Sequence, residues 1–118
     1  MAAAKYNFKI EQGATFHRVI TWKAGTPPVP VDLTGCTARM HVREFVSYAV
    51  KLLDLTTENG GLVLGGVAGT INIDITHALT ATLDVRRAVY DLEIQFSNGA
   101  VRRVLQGVID VSPEVTRE

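Results

Sequence analysis

The sequence predicts an all-β protein, an antiparallel sandwich or barrel of about seven or eight short strands with at most one short helix. Apolar and polar residues alternate with a period of two in most segments, which is typical of strands with one buried face. Turn-forming residues recur at intervals of roughly 8–12 residues, the spacing expected for short strands. Helical patterns do not alternate with these strands, which disfavours a parallel α/β sheet.

The first half of the chain contains three alternating segments, whose apolar members are Tyr6, Phe8 and Ile10, then Phe16, Ile20 and Trp22, then Ala38, Met40 and Val42. Residues 24–30 hold a glycine and three prolines, which predicts a loop or an edge connection because proline removes a ladder donor. Residues 32–35 (Asp-Leu-Thr-Gly) predict a tight corner, since Asp and Thr side chains bond nearby backbone amides and glycine accepts a positive φ.

Residues 44–55 do not follow one period. Five apolar residues in this segment fit neither strict alternation nor a helical stripe: Phe45, Val46, Tyr48, Val50 and Leu52. Short apolar runs of this kind are ambiguous. One interpretation is a protein interface formed by these five residues. The other is a bulged strand that belongs to the core, and the sequence leaves both open.

The second half of the chain predicts a short strand at Leu62 and Leu64, a strand at Ile71, Ile73 and Ile75, one helical stub over residues 76–83, and a final hairpin over residues 90–112. Asn98-Gly99 predicts a two-residue type I′ turn, because both residues tolerate positive φ. This turn would pair Phe96 with Val101, Leu92 with Leu105 and Tyr90 with Gly107. Tyr90 would then lie over the bare backbone of Gly107.

Composition argues against several function classes. Twelve basic and twelve acidic residues cancel, so the chain lacks the basic footprint of a nucleic-acid-binding protein. No apolar run approaches the roughly 20 residues of a membrane span, and the start of the chain has no apolar core long enough for a signal peptide. The single cysteine cannot form an intrachain disulfide. We therefore expect the protein to fold in a cytoplasm without contacting a membrane or nucleic acid.

Sequence motifs give no reason to expect a catalytic, cofactor-binding or metal-binding site. A zinc site needs three or four convergent ligands, and the spacing of His17, His41 and His77 does not supply them. His17 and His41 have the polar parity of their strands, which predicts a solvated face. Cys36 follows a glycine at a strand start, where a small buried and inert residue fits well.

Two carboxylates lie two residues apart on the predicted final hairpin. Asp91 and Glu93 therefore face the same way, and Arg102 is predicted as a diagonal neighbour of Glu93 in a solvated charge ladder. Arg103 has the apolar parity of its strand, so we expect it to flank the core or to point into an interface.

Six segments, taken in order, carry a likeness to a known family: IEQGATF at 10–16, VDLTG at 31–35, ARM at 38–40, YDLEI at 90–94, LQG at 105–107 and SPEVTR at 112–117. Together they resemble small immunoglobulin-like β-sandwich proteins encoded in tailed phages and prophages, which are similar to the N-terminal domain of baseplate upper proteins. The resemblance implies a single immunoglobulin-like sandwich and a non-enzymatic virion component. It transfers no catalytic or ligand residue.

The sequence thus predicts one domain over residues 1–118, with flexible or partner-bound tails at 1–5 and 113–118. We expect a structural or adaptor protein of a tailed-phage virion, made in the host cytoplasm, that binds other phage structural proteins and itself. It would have no cofactor, and sandwich edges can add partner strands. The alternative is a carbohydrate-binding module for host surface glycans, for which Trp22, Tyr48 and Tyr6 are the candidate aromatic residues.

Overall fold

A computed structural model describes residues 3–116 of the chain and confirms the all-β prediction. The described residues form eleven strands, in chain order β1 (Ala4–Lys5), β2 (Phe8–Glu11), β3 (Phe16–Thr21), β4 (Lys23–Ala24), β5 (Val29–Pro30), β6 (Thr37–Arg43), β7 (Leu53–Thr56), β8 (Leu62–Leu64), β9 (Thr70–Ile75), β10 (Arg87–Gln95) and β11 (Val101–Ser112). A 3₁₀ turn at Gly66–Ala68 and a helix α1 at His77–Thr80 complete the elements. The helix is one turn long and lies within the predicted stub of residues 76–83, and Leu79 N–H donates to its Thr76 cap at 3.3 Å.

The larger sheet has the order β1-β11-β10-β6-β7, and β2 also pairs with β11. β1 and β2 run parallel to β11, whereas the other pairs in this sheet are antiparallel. The sheet is therefore mixed, and the predictions of purely antiparallel pairing and of seven or eight strands are wrong. Two-residue strands such as β1 are too short for alternation to reveal. Ala4–Lys5 lies in the segment predicted as a tail but forms β1, while Met1, Ala2, Arg117 and Glu118 lie outside the described residues.

The smaller sheet has the order β3-β9-β8, and β4 and β5 form a two-stranded ribbon within the proline-rich segment. The apolar face of the larger sheet and the apolar face of the smaller sheet both contribute to one core cluster among the described residues. Ile71, Ile73 and Ile75 of β9 are 0–1% exposed, as are Leu92 and Ile94 of β10. The alternation in the sequence thus marks the core-facing side of each long strand.

The β10–β11 hairpin reaches the predicted register by a different route. Phe96 pairs with Ala100 across a three-residue loop, since Phe96 N–H donates to Ala100 O and Gly99 N–H donates to Phe96 O, both at 2.8 Å. Gly99 has φ 89°, but only glycines have positive φ in the described chain, so Asn98 does not form a type I′ turn. The predicted pair of Phe96 with Val101 is wrong, and Val101 instead pairs with Gln95.

A β-bulge then restores the register. The pairing shifts between Leu92 and Glu93, so that Val104 is the extra residue of β11. Beyond the bulge, Leu92 pairs with Leu105 and Tyr90 with Gly107, as predicted. The bulge leaves both Val104 and Leu105 buried. It also changes the parity of the residues before it, which places Arg103 on the exposed outer face opposite Glu93 rather than beside the core.

The start of the chain is fastened to the last strand around Gly107. A Cβ atom at Gly107 would lie 2.3 Å from the carbonyl oxygen of Tyr6, so only glycine permits this close approach. The hydroxyl of Tyr90 donates to the same carbonyl, and Val108 N–H donates to Asn7 Oδ1 at 2.9 Å. Burial raises the pKa of Tyr90 well above its ordinary value. Tyr90 pairs with Gly107 as predicted, but the Tyr6 carbonyl and Asn7, rather than the Tyr90 ring, fill the space over the Gly107 backbone.

The IEQGATF segment connects both chain ends to the helix. Gln12 Nε2 donates to Leu83 O at 3.0 Å, and Gln12 Oε1 accepts from Glu114 N–H at 2.9 Å. Gly13 N–H donates to the hydroxyl of Thr80 at 3.0 Å, and this hydroxyl lies 2.8 Å from Ala14 O. Thr80 is fully buried. The segment therefore has a structural role that joins three distant parts of the chain.

The DLTG corner also forms as predicted. Asp32 Oδ1 accepts from Thr34 N–H at 3.0 Å and from the Thr34 hydroxyl at 2.6 Å, while Gly35 has φ 77°. These two hydrogen bonds lower the pKa of Asp32. Leu33, between them, is 1% exposed and anchors the corner in the core.

Candidate protein interface

The loop between β6 and β7, residues 44–52, projects four of the five predicted interface side chains into solvent. The exposed fractions are 52% for Phe45, 85% for Val46, 49% for Tyr48 and 70% for Val50. Leu52 differs, since it is partly buried and packs against the core. The bulged strand of the core interpretation does not form, and the first four residues are exposed, whereas Leu52 packs against the core from the loop. We call Phe45, Val46, Tyr48 and Val50 the apolar tip.

Contacts within the loop order the part of it that carries Phe45 and Tyr48. The Arg43 guanidinium donates to Tyr48 O at 2.9 Å and to Ala49 O at 2.6 Å. Tyr48 N–H donates to Phe45 O at 3.1 Å, and the two rings meet edge to face with centroids 4.9 Å apart. Leu52 N–H donates to Val42 O at 2.7 Å, which closes the loop onto the end of β6. A surface ordered in this way loses little conformational freedom when a partner binds.

The outer face of the larger sheet is polar and carries a charge ladder that includes Asp91 and Glu93. Arg39 Nε lies 3.4 Å from Glu93 Oε1, and Arg103 Nε lies 3.4 Å from Asp91 Oδ2. The predicted diagonal contact of Arg102 with Glu93 is wrong, because the bulge places Arg103 opposite Glu93 and pairs Arg102 with Ile94. These side chains are 29–61% exposed, so each pair contributes about 0–1 kcal/mol. The pairs line a groove of about 640 Å³ whose lining also includes Val46.

A second groove, of about 450 Å³, lies where the edge of the larger sheet faces the edge of the smaller one. Residues of β11, β1 and β3 line it, together with Tyr6, Trp22 and Ile71. We call it the edge groove. Trp22 is only partly buried and its ring lies 6.1 Å from that of Phe96. Sequence reasoning missed this groove because its walls come from residues about 80 positions apart, and because alternation does not report the incomplete burial of Tyr6, Ile20 and Trp22 that marks it.

Two of the carbohydrate-candidate aromatics lie in this edge groove. Tyr6 and Trp22 both pack against the core, and the Tyr6 hydroxyl accepts from Arg18 at 3.1 Å. Tyr48 lies on the apolar tip instead, paired with Phe45. The three aromatic residues therefore do not form one flat exposed platform of the kind that stacks on sugar rings.

The histidines and the cysteine lie apart. His17 pairs with Asp74 on exposed strand faces, and His41 Nε2 lies 3.4 Å from Asp54 Oδ1. No group of three or more His, Cys, Asp or Glu side chains that could hold a metal ion occurs within residues 3–116. Burial, followed by the nearby Asp32 carboxylate, raises the pKa of the half-buried Cys36 thiol, which disfavours the reactive thiolate.

No helix in the described part of the chain is long and apolar enough to cross a membrane. Comparison with known proteins gave no match, either to a protein-family model or to a curated protein.

Proposed function

We propose that the protein is an immunoglobulin-like β-sandwich that serves as a structural or adaptor protein of a tailed-phage virion. It acts without catalysis, by binding other virion proteins and further copies of itself. The observation that carries the proposal is the apolar tip, a preordered set of four solvent-facing apolar side chains on a hairpin. The virion assignment comes from the likeness of the six sequence segments to phage sandwich proteins.

The immunoglobulin-like assignment is supported by two sheets that share one core in the described residues. The segments behind the likeness have architectural roles: IEQGATF joins the chain ends to α1, DLTG turns the chain into β6, and LQG contains the close approach at Gly107. A likeness built on such contacts bears on the fold more strongly than on a ligand site.

The binding role is supported by the energetics of the apolar tip. Soluble monomers rarely expose contiguous apolar patches larger than roughly a few hundred Å², and larger patches mark interaction sites. Aromatic side chains contribute much of the energy at protein interfaces, because they bury large areas while losing few rotamers. The Arg43 guanidinium donates to two loop carbonyls, which orders the backbone that carries the exposed rings of Phe45 and Tyr48.

The test is incorporation of a tip variant, Phe45→Ser with Tyr48→Ser, into virions. The rings are about half exposed, so the isolated protein should lose mainly their mutual contact, roughly 0.5–1.5 kcal/mol. Buried aromatics would each cost about 3–5 kcal/mol. We expect the melting temperature to fall by only a few degrees while the variant disappears from purified particles.

The matched control replaces two exposed apolar residues elsewhere, Val63→Ser with Val67→Ser. This control should be incorporated like the native protein. Electron microscopy of particles with and without the gene shows whether the protein is part of the virion at all. Particles that contain the tip variant at native levels, or that lack the native protein, would overturn the proposal.

A further inference from the structure

We infer that Asn98, in the loop of the β10–β11 hairpin, is a site of spontaneous deamidation, whereas the fold protects Asn59, which is also followed by glycine. Both asparagines are exposed, so access to water does not separate them. They differ in the hydrogen bonds that hold each side-chain amide in place. This modification of the chain does not depend on the proposed function.

Deamidation requires only the asparagine, the peptide nitrogen that follows it, and water. The backbone nitrogen of Gly99 attacks Cγ of Asn98 and gives up its proton, while the Cγ–Nδ2 bond breaks and Nδ2 leaves as ammonia. Water then opens the cyclic imide at either carbonyl, which leaves aspartate or isoaspartate. Glycine favours the attack because no Cβ stands beside its nitrogen. The other two asparagines precede Phe8 and Ile73, whose side chains hinder it.

The loop around Asn98 can open without disturbing the strands that it joins. Residues 97–99 are exposed, and a Cβ on Gly99 would meet no atom within 4 Å beyond its chain neighbours. Two hydrogen bonds oppose the attack. Gly99 N–H donates to Phe96 O at 2.8 Å, and Ala100 N–H donates to Asn98 Oδ1 at 2.9 Å. Both lie within the loop, and exposed loops of this kind open locally at a small fraction of the global stability.

The leaving group of Asn98 is also unrestrained. Its Nδ2 donates no hydrogen bond to any other residue in the described part of the chain, where only Oδ1 is held. The carboxamide can therefore turn toward the Gly99 nitrogen once the Ala100 contact opens.

The amide of Asn59 is instead built into the free edge of β7, the outer strand of the larger sheet. Asn59 Nδ2 donates to Asp54 O at 2.8 Å. Asn59 Oδ1 accepts from Thr56 N–H at 2.9 Å and from Gly61 N–H at 3.0 Å. The carboxamide thus satisfies backbone groups that a neighbouring strand would otherwise pair. Turning it toward the following nitrogen breaks all three hydrogen bonds and leaves groups at the sheet edge unpaired.

The turn that carries Asn59 is also packed against the core. A Cβ at Gly61 would lie 2.8 Å from Cδ2 of Leu55, which is 1% exposed. The backbone N–H of Asn59 donates to Thr56 Oγ1 at 2.9 Å, which adds a further contact between the turn and β7. The reactive geometry at Asn59 therefore requires the end of β7 to open, whereas at Asn98 it requires only the loop to open.

The experiment ages the purified full chain in oxygen-labelled water at mildly alkaline pH and digests it with trypsin in ordinary water. Because water supplies the new oxygen atom, the label marks conversion during ageing and excludes conversion during digestion. Mass spectrometry reads Asn98 in the peptide of residues 88–102 and Asn59 in the peptide of residues 52–86, with fragment ions that place the label. We expect Asn98 to convert at least about tenfold faster than Asn59, because the hydrogen bonds at Asn59 must open first.

Two controls separate the effect of the fold from that of the sequence. In guanidinium chloride both sites keep their Asn-Gly sequence but lose their contacts, so their rates should converge. Asn98→Gln keeps a carboxamide in the loop but needs a larger ring for the attack, so its peptide should stay unlabelled while Asn59 behaves as in the native chain. Equal rates at the two sites in the folded chain, or a preference for Asn98 that persists in guanidinium chloride, would overturn the inference.

Discussion

Substituting Gly107 by alanine should destabilise the domain by much more than one methyl group suggests. The added Cβ would lie 2.3 Å from Tyr6 O and 2.8 Å from Asn7 Oδ1, so the segment between β1 and β2 must move away from β11. That movement breaks the hydrogen bonds from Tyr90 to Tyr6 O and from Val108 N–H to Asn7. Two lost hydrogen bonds at about 1 kcal/mol each, with overpacking of about 1–3 kcal/mol, give a loss of roughly 3–5 kcal/mol.

Urea unfolding followed by circular dichroism measures this loss, with Gly60→Ala as the control. Gly60 has φ 82° and open space around it, so its alanine variant incurs only backbone strain of about 1 kcal/mol. An alanine at 107 that costs no more than the one at 60 would refute the reasoning, because it would mean that β1 and β2 are not held against the final strand as described.

Two further predictions concern buried hydroxyl groups. Because folding raises the pKa of Tyr90, its contribution to the free energy of unfolding is complete below the unfolded pKa of about 10 and is lost as the pH rises above that value. Tyr90→Phe should therefore be less stable than the native protein near pH 7 but should lose less stability between pH 9 and 11. Equal losses in the two proteins would contradict this. Thr80→Val should lower the stability measured by thermal unfolding by about 1–3 kcal/mol, because it leaves Gly13 N–H without its acceptor. Thr80→Ser keeps the hydroxyl and should lower it less. The reverse order would show that the methyl group matters more than the hydroxyl.

Long strands could be predicted from the sequence because their signal is local. In β9 and β10 the polarity of each residue indicates whether it lies on the core-facing or the outer face of the sheet. Five or more alternating positions therefore identify a strand without knowledge of its partner. β1 has two residues, and its pairing with β11 joins positions 101 residues apart, which no local pattern encodes. The final hairpin shows that register is easier to predict than turn geometry. Buried Leu92 and Leu105 must share a face, and the bulge at Val104 satisfies this requirement despite the longer loop.

The candidate interface was predictable only in part. Residues 45–52 carry more apolar side chains than one strand face can bury, which predicted either an interface or a bulged strand. Which of the two forms depends on where β6 ends; the strand ends at Arg43, whose guanidinium then donates to the Tyr48 and Ala49 carbonyls of the loop. The edge groove had no counterpart in the sequence interpretation, because it exists only where strands from different sheets approach each other.

The parallel pairing of β1 and β2 with β11 determines how the domain carries mechanical load. Force applied before β1 and after β11 pulls these strands in opposite directions along their common axis. The hydrogen bonds between them lie across that axis and are loaded together, in shear, instead of separating one by one as in a hairpin opened from its end. Forced unfolding depends on the unfolding rate rather than on equilibrium stability. Tension between the two ends of the described chain is therefore shared by the pairs of β1 and β2 with β11 and by the Tyr6–Gly107 contact that lies between them.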